Sequence, residues 1–184
     1  MPCVDASVLV LVPVPRQRTK RLRLHFSAKR LDVREEKLAD TRVQLEVEDW
    51  VRQEWMPQKF GQRFHRERVR LSSGGVFDFD AVSEDRKIVA TISTSGSKTA
   101  SGKHAVGKLL KIRSDMLFLL LAENVERRIV VLTESDMVGL CRKEVDGGRV
   151  PATIEFVHAQ IPKDLNAKLR DARGRASKET SPKS

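Results

Sequence analysis

The segment from Val76 to Thr94, VFDFDAVSEDRKIVATIST, predicts two β-strands joined by a short polar turn. Phenylalanine and aspartate alternate over residues 77–80, which gives this strand one apolar and one acidic face. Residues 83–86, Ser-Glu-Asp-Arg, are typical of a turn, and residues 87–94 form a second run rich in β-branched side chains. The segment therefore predicts a β-hairpin.

Four polar side chains stand out in this hairpin. Asp78 and Asp80 share one face of their strand, and Thr91 and Ser93 share one face of the next. Pairing of the two strands would bring the aspartates near Thr91 and Ser93. Two carboxylates on one strand face are costly to bury without a partner. They are therefore either solvated or bound to a positively charged group.

The rest of the chain predicts helices and strands around the hairpin. Hydrophobic spacing and breaker residues indicate a helix at 43–58 that Pro57 ends, a strand at 63–71, a helix at 103–121, a strand at 127–133, a helix at 135–144 with Ser135 as its N-cap, a strand at 153–161 and a short helix from 165 to about 172. This order is typical of an α/β fold with a mixed sheet flanked by helices.

Composition shifts divide the chain into three parts. Residues 1–42 form a basic N-terminal arm with an apolar start, residues 43–172 form the folded domain, and residues 173–184 form a polar tail that need not be ordered. The apolar start of the arm, residues 1–15, is a candidate strand for pairing with another chain. An interaction module in a larger assembly is therefore one alternative for the function.

The charge balance favours polyanionic partners. The 184 residues include 35 Lys and Arg against 25 Asp and Glu, a net charge of +10. Such an excess favours nucleic acid or an acidic membrane surface. The longest apolar run, Met116 to Ala122, is far short of the roughly 20 residues that a spanning helix needs. Cys3 and Cys141 form neither a disulfide framework nor a metal cluster, so we expect a cytoplasmic protein that is not embedded in a membrane.

Two groups of basic residues are candidate contacts for nucleic acid. No acidic residue occurs from Gly96 to Ser114, and His104, Lys108 and Lys111 recur at helical spacing there, with Lys98 and Lys103 nearby. A second group lies on one face of the first strand and comprises Arg66, Arg68 and Arg70. Like charges on one strand face repel unless a polyanion neutralises them. The alternative is an ordinary solvated surface that keeps the protein soluble.

Other site motifs are absent or incomplete. The loop at residues 95–104 contains Gly-Lys between a strand and a helix, but five residues separate its glycines and His104 follows the lysine, so the pattern of a phosphate-binding P-loop is not met. The four histidines are far apart, which argues against a zinc site. Trp50 and Trp55 are expected to anchor the core.

Residues 74–94 resemble the core of the restriction-endonuclease-like superfamily, the PD-(D/E)XK nucleases, and the order of elements is similar over about residues 43–161. Asp80 stands where the family has its aspartate. The next strand reads Ala-Thr-Ile-Ser-Thr where the family has Ala-Glu-Ile-Lys-Thr. Thr91 therefore occupies the glutamate position, and Ser93 occupies the lysine position.

The resemblance implies a Mg²⁺ site and a restriction-endonuclease-like core. In the family, carboxylates hold Mg²⁺, the lysine helps to polarise the attacking water, and a glutamate from the preceding helix often assists. Here Asp80 and Asp78 would hold the metal, and Glu54 would be the helix glutamate because it follows Trp50 by four residues. The missing lysine would be replaced from the following loop and helix, by Lys98, Lys103 or Lys108. The residues alone indicate no other cofactor.

The leading hypothesis is a nucleic-acid-binding protein, contacting the backbone of duplex DNA without efficient cleavage. Its contacts would be made by the basic groups, namely Lys98, Lys103, His104, Lys108, Lys111, Arg66, Arg68 and Arg70. The rival is a Mg²⁺-dependent DNA endonuclease with a migrated catalytic lysine. Many proteins of this fold dimerise, so a homodimer is compatible with either hypothesis.

Overall fold

The structure, a computed structural model, describes residues 41–98, 102 and 104–179. Nearly all of the predicted N-terminal arm and Lys103 lie outside the described residues. Helix α1 is α-helical over residues 41–50, π-helical at Val51–Trp55 and α-helical again at Met56–Phe60. The other elements are β1 (Phe64–Arg70), β2 (Val76–Ser83), β3 (Ile88–Ser93), α2 (Val106–Leu121), β4 (Arg127–Leu132), α3 (Ser135–Asp146), β5 (Ile154–His158) and α4 (Lys163–Glu179).

The five strands form one mixed sheet in the order β1-β2-β3-β4-β5. The first two pairings, β1 with β2 and β2 with β3, are antiparallel, whereas β3 with β4 and β4 with β5 are parallel. Parallel neighbours need a crossover connection, and α2 and α3 provide the two that this sheet requires. The prediction of an α/β fold with a mixed sheet flanked by helices is confirmed.

Helices cover both faces of the sheet. Helices α1 and α4 bury Val47, Val51 and Leu169 against one face, together with Ala90 and Ile92 of β3. Helices α2 and α3 pack on the opposite face, where the core includes Val89, Ile112, Leu119, Val130, Met137 and Cys141. The alternation predicted for β3 is therefore confirmed, with Val89 facing α2 and its neighbours facing α1.

A β-bulge interrupts the pairing of β1 with β2. His65 pairs with Val82 and Glu67 pairs with Phe79, so two residues of β2, Asp80 and Ala81, lie opposite one residue of β1. Phe79 and Val82 consequently both belong to the core cluster on the α2 face. A bulge of this kind changes the direction of the side chains that follow it. Regular alternation therefore does not continue through β2.

The sequence predicted that Pro57 ends helix α1, but the helix continues past this residue to Phe60. The backbone N–H of Met56 bonds to the carbonyl of Val51, which is the wider π-helical spacing. Proline has no N–H to donate, and its ring would clash with the carbonyl four residues before it in a regular helix. The wider turn avoids this clash, and the helix continues to Gly61, whose φ of 73° ends it in a left-handed conformation.

One further boundary and one cap differ from prediction. Helix α4 runs to Glu179, past the predicted end near residue 172. Helix α3 begins at Ser135 with Glu134 as its cap and without a side-chain cap bond, so Ser135 is not the N-cap. None of the described helices combines the length and apolar character that crossing a membrane requires.

Candidate functional site

Asp80 lies where β2 and β3 separate. The ladder between these strands consists of two pairs, Ala81 with Ala90 and Val82 with Val89. At the next position the backbone N–H of Ile92 donates to the Asp80 carboxylate, at 2.8 Å, instead of to a strand carbonyl. We call this point the fork. Because the Asp80 side chain takes the place of a ladder bond, it is held rigidly by the backbone of β3.

Glu48 of α1 interacts with Asp80 across the fork. Burial and the nearby Asp80 charge raise the pKa of Glu48 from its ordinary value of 4.5 to about 7. Burial also raises the pKa of Asp80, although the Ile92 hydrogen bond opposes this effect. Two partly desolvated carboxylates with raised pKa values, contributed by different elements, are characteristic of a functional site.

Helix α2 contributes a lysine and a third carboxylate on the other side of the fork. The Lys111 ammonium donates to the carboxylate of Asp115, four residues later, at 2.7 Å. The Lys111 charge lowers the pKa of both Glu48 and Asp80, whereas the Asp115 charge raises that of Asp80. The side chain of Lys111 is 66% exposed, so the ammonium is accessible to a ligand. We call Glu48 and Asp80 the acidic pair. Among the described residues, Lys111 is therefore a lysine whose charge acts on both of its members.

Two arginines complete the surroundings of the acidic pair. Arg52 of α1 donates through Nε to the backbone carbonyl of Asp80 and also pairs with Asp49. Arg66 of β1 pairs with Asp78 at 2.9 Å, and its charge lowers the pKa of both members of the acidic pair. The hydrogen bond from Arg66 holds the pKa of Asp78 below its ordinary value.

Thr91 and Ser93, at the positions of the family's glutamate and lysine, are both buried. The Thr91 hydroxyl has no hydrogen-bond partner among the described residues. By continuation of the β2–β3 register, Thr91 is the residue opposite Asp80 at the fork. An unsatisfied buried hydroxyl costs free energy, so Thr91 brings unused hydrogen-bonding capacity to this part of β3.

The predicted catalytic residues are only partly brought together. Asp80 is at the fork as expected, but Asp78 is an exposed partner of Arg66. Glu54 is exposed, so its predicted position near the inward face of α1 is wrong, because the π-helical turn changes the spacing after Trp50. Glu48 takes the place on the helix that the sequence interpretation gave to Glu54.

The α2 group of predicted nucleic-acid contacts does not form one stripe. His104 precedes the helix and forms an isolated bridge with Lys98, so it does not continue the spacing of the lysines on α2. Lys108 lies over the loop, where its ammonium donates to the Lys98 carbonyl at 3.4 Å. Burial, together with the charge of Arg173, lowers the pKa of Lys108. These lysines therefore have separate environments.

The predicted stripe of arginines on β1 is exposed. Arg66, Arg68 and Arg70 alternate with Glu67 and Val69, which are less exposed. β1 is an edge strand of the sheet, and charged side chains on an edge also prevent pairing with other chains. Arg68 and Arg70 form no ion pair within the described residues, unlike Arg66.

The carboxylates at the fork are candidate ligands for a Mg²⁺ ion. The described residues contain no cluster of three or more His, Cys, Asp or Glu side chains arranged to hold a metal. Mg²⁺ nevertheless uses as few as one or two protein carboxylates, with water and substrate phosphate as its remaining ligands. Glu48 and Asp80 provide two carboxylates, and a bound cation would offset the Asp80 charge that raises the pKa of Glu48. The donor chemistry of the pair is therefore suited to Mg²⁺.

Comparison of the chain with protein-family models, with curated proteins and with solved structures gave no match.

Proposed function

We propose that the protein is a Mg²⁺-dependent nuclease whose site is the fork, with Asp80, Glu48 and Lys111 as its principal residues. The observation that carries the proposal is the placement of Glu48 beside Asp80, because the Asp80 charge raises the pKa of Glu48 and burial raises the pKa of both carboxyl groups. The order of helix, three strands, helix and strand supports the resemblance to restriction-endonuclease-like proteins.

Each side chain has a role that follows from its position. Asp80 and Glu48 would hold Mg²⁺, which supplies charge neutralisation at the phosphate and lowers the pKa of water. Lys111 reaches the fork from α2 and would stabilise negative charge on the attacking oxygen or the phosphate, in place of the uncharged Ser93. Arg66 adds positive charge on the β1 side. Asp115 holds the Lys111 ammonium in position.

A second candidate is nucleic-acid binding without cleavage. Thr91 and Ser93 carry no charge, and the Lys111 ammonium is already bound by Asp115 at 2.7 Å. These observations favour a site that has lost catalysis and kept its affinity for a polyanion. Exposed Arg68 and Arg70 would then contact the backbone together with the α2 lysines.

The deciding experiment measures binding and cleavage of fluorescent duplex DNA together, with Mg²⁺ or EDTA and at two salt concentrations. For the nuclease we expect Asp80→Asn and Lys111→Met to lower the cleavage rate by about 10²-fold or more, as loss of a catalytic proton-transfer or charge-stabilising group does. Asp80→Asn keeps an acceptor for the Ile92 N–H and removes negative charge, so binding is retained or improved.

Lys143→Met is the matched control, because it removes an exposed lysine from α3 on the outer surface. It should leave cleavage unchanged. Binding that weakens steeply with salt and leaves DNA intact in the presence of Mg²⁺ would select the second candidate. Absence of both binding and cleavage would reject both proposals.

A further inference from the structure

An open surface cavity of about 410 Å³ lies beside the C-terminal end of α1 and the end of β5. Its lining residues are Trp55, Gln58, Lys59, His158 and Gln160. This set combines one large aromatic ring, one cation and three side chains with hydrogen-bonding groups. The cavity belongs to neither the fork nor the basic groups of the sequence.

The aromatic ring of this cavity belongs to the π-helical turn of α1. Trp55 is the last residue of the π-helical turn of α1, and it is half-buried and packs against the core on the α1 face, as predicted for Trp50 and Trp55. Its ring meets Phe60 edge-on, with ring centroids 6.4 Å apart. The Lys59 ammonium lies 5.7 Å from the Trp55 ring centroid. The indole is therefore supported from its own helix and lines the cavity.

The polar side chains around the indole have unused hydrogen-bonding capacity. Gln58 and Gln160 are exposed amides, each with donor and acceptor groups, and His158 adds a ring nitrogen of each kind when neutral. None of the three forms a side-chain hydrogen bond within the part of the chain that the structure describes. A planar ring whose edge carries both donors and acceptors would satisfy these groups while stacking on the indole.

We propose that this cavity binds an unpaired nucleobase, stacked on Trp55, with its edge bonded by Gln58 or Gln160 and its phosphate near Lys59. Stacking of bases on aromatic side chains tolerates all four bases and needs no duplex. A free nucleotide and an unpaired nucleotide within a strand share this chemistry. Binding of an unpaired nucleotide within a strand rests on the proposed function, whereas binding of a base as such does not.

The spacing along α1 suits a single strand that reaches both sites. Trp55 follows Glu48 by seven residues, which is on the order of 10 Å along a helix. Stacked nucleotides rise by about 3.4 Å each, so roughly three steps separate the cavity from the fork. The proposal therefore extends the substrate class to nucleic acid with an unpaired stretch beside the cleavage position.

Tryptophan fluorescence tests the proposal directly, because Trp50 and Trp55 are the two tryptophans and the chain has no tyrosine. In Trp50→Phe, Trp55 is the single reporter. We expect saturable quenching by adenosine monophosphate and at least about tenfold weaker binding of ribose 5-phosphate, which has the charge without the base. Calorimetric titration of the unaltered chain provides the same comparison if Trp50→Phe does not fold.

Variants of the cavity separate its parts. Lys59→Ala and Gln160→Ala should each weaken nucleotide binding several-fold, whereas Lys143→Ala, an exposed lysine on α3, should not. Equal affinity for ribose 5-phosphate, or no response to either cavity variant, would overturn the proposal.

The two sources are distinguished in the Asp80→Asn background, where cleavage is expected to be lost. A strand-bound base predicts that oligonucleotides with an unpaired stretch quench Trp55 at lower concentration than the mononucleotide and than blunt duplex. Quenching by the mononucleotide alone would indicate a free-nucleotide site. Base binding without any cleavage by the unaltered chain would reject the nuclease proposal and leave this one standing.

Discussion

Among the carboxylates of the described residues, Glu48 is the one whose pKa is raised far enough to reach about 7. It lies one residue after the buried Val47 on α1, so its side chain is drawn partly out of water beside Asp80. Lys111, Arg52 and Arg66 favour its charged form, but burial and the Asp80 charge outweigh them. Glu48 is therefore uncharged at low pH. At high pH its negative charge is unfavourable, because it is partly buried beside the charge of Asp80.

Replacement of Glu48 by glutamine should therefore stabilise the folded chain at high pH. The folded pKa is about 7 and the ordinary value is 4.5, so the folded state binds more protons between these values and the free energy of unfolding falls as pH rises through them. In EDTA we expect Glu48→Gln to be more stable than the unaltered chain by roughly 1–2 kcal/mol at pH 8, after allowance for solvent screening. Below about pH 4.5 the difference should vanish. Urea unfolding at several pH values measures it.

Glu46→Gln is the control for that measurement. Glu46 is an exposed residue of the same helix, paired with Lys168 at 2.8 Å. Its loss should cost between 0 and about 1 kcal/mol, as for surface ion pairs. A pH-independent difference for Glu48→Gln, or a loss of stability at pH 8, would contradict the interpretation of the acidic pair.

At the scale of elements, the loop from β3 to α2 is held by α3. One carboxylate oxygen of Asp136 accepts from the Ser97 backbone N–H at 2.9 Å and from its hydroxyl at 2.8 Å. Although burial acts in the opposite direction, these bonds keep the pKa of Asp136 below its ordinary value. A Cβ at Gly96 would lie 3.4 Å from the same carboxylate, so the small residue allows the close approach. The start of the loop beyond the fork is therefore anchored.

Asp136→Ala should release this anchor. Because hydrogen bonds to a charged group contribute about 1.5–3 kcal/mol each and partly depend on one another, we expect a loss of roughly 2 kcal/mol in unfolding free energy. Trypsin should then cleave faster after Lys98, which lies next to Ser97. Mass spectrometry of timed digests identifies the cleavage site.

Asp146→Ala provides the comparison, since Asp146 is an exposed carboxylate at the end of the same helix. It should change neither stability nor the cleavage rate after Lys98 by a measurable amount. If Asp136→Ala behaves in the same way, the hydrogen bonds to Ser97 do not hold the loop in solution.

At the scale of the whole molecule, the net charge of +10 is distributed unevenly between paired and unpaired groups. Arg127 is bound by Glu155, and Arg113 and Arg149 both pair with Glu144. Glu155 balances the charge of Arg127, and Glu144 offsets one of its two arginines, so these groups attract a polyanion less than unpaired arginines do. The exposed arginines of β1 that have no described ion pair are better placed for phosphate contacts.

Salt dependence should identify those contacts. Each phosphate contact contributes about −0.9 to the slope of log affinity against log salt concentration on duplex DNA. The double variant Arg68→Ala/Arg70→Ala should therefore make the slope less steep by about 2 units. Arg142→Ala/Lys143→Ala removes the same charge from exposed positions on α3 and should leave the slope unchanged. Equal changes in both double variants would indicate a general charge effect without a defined surface.

The strands, most helix boundaries and the position of Asp80 followed from the sequence by itself. Alternation over residues 77–80 and the polar turn at 83–86 act within a few residues, so local sterics and burial are enough to specify the hairpin. The candidate site was harder to predict, because its side chains come from three elements. Asp80 was recognised because it lies within the strand pattern.

Only the tertiary structure decided that Glu48, instead of Glu54, and Lys111 of α2 act on the site of Asp80. The π-helical turn caused by Pro57 leaves Glu54 exposed, and the bulge at residues 80–81 ends the regular alternation of β2. Which residue of α1 or α2 reaches the fork depends on how each helix crosses the sheet. The crossing angle depends on how buried side chains from distant parts of the chain pack together. The spacing of residues within one helix does not predict it.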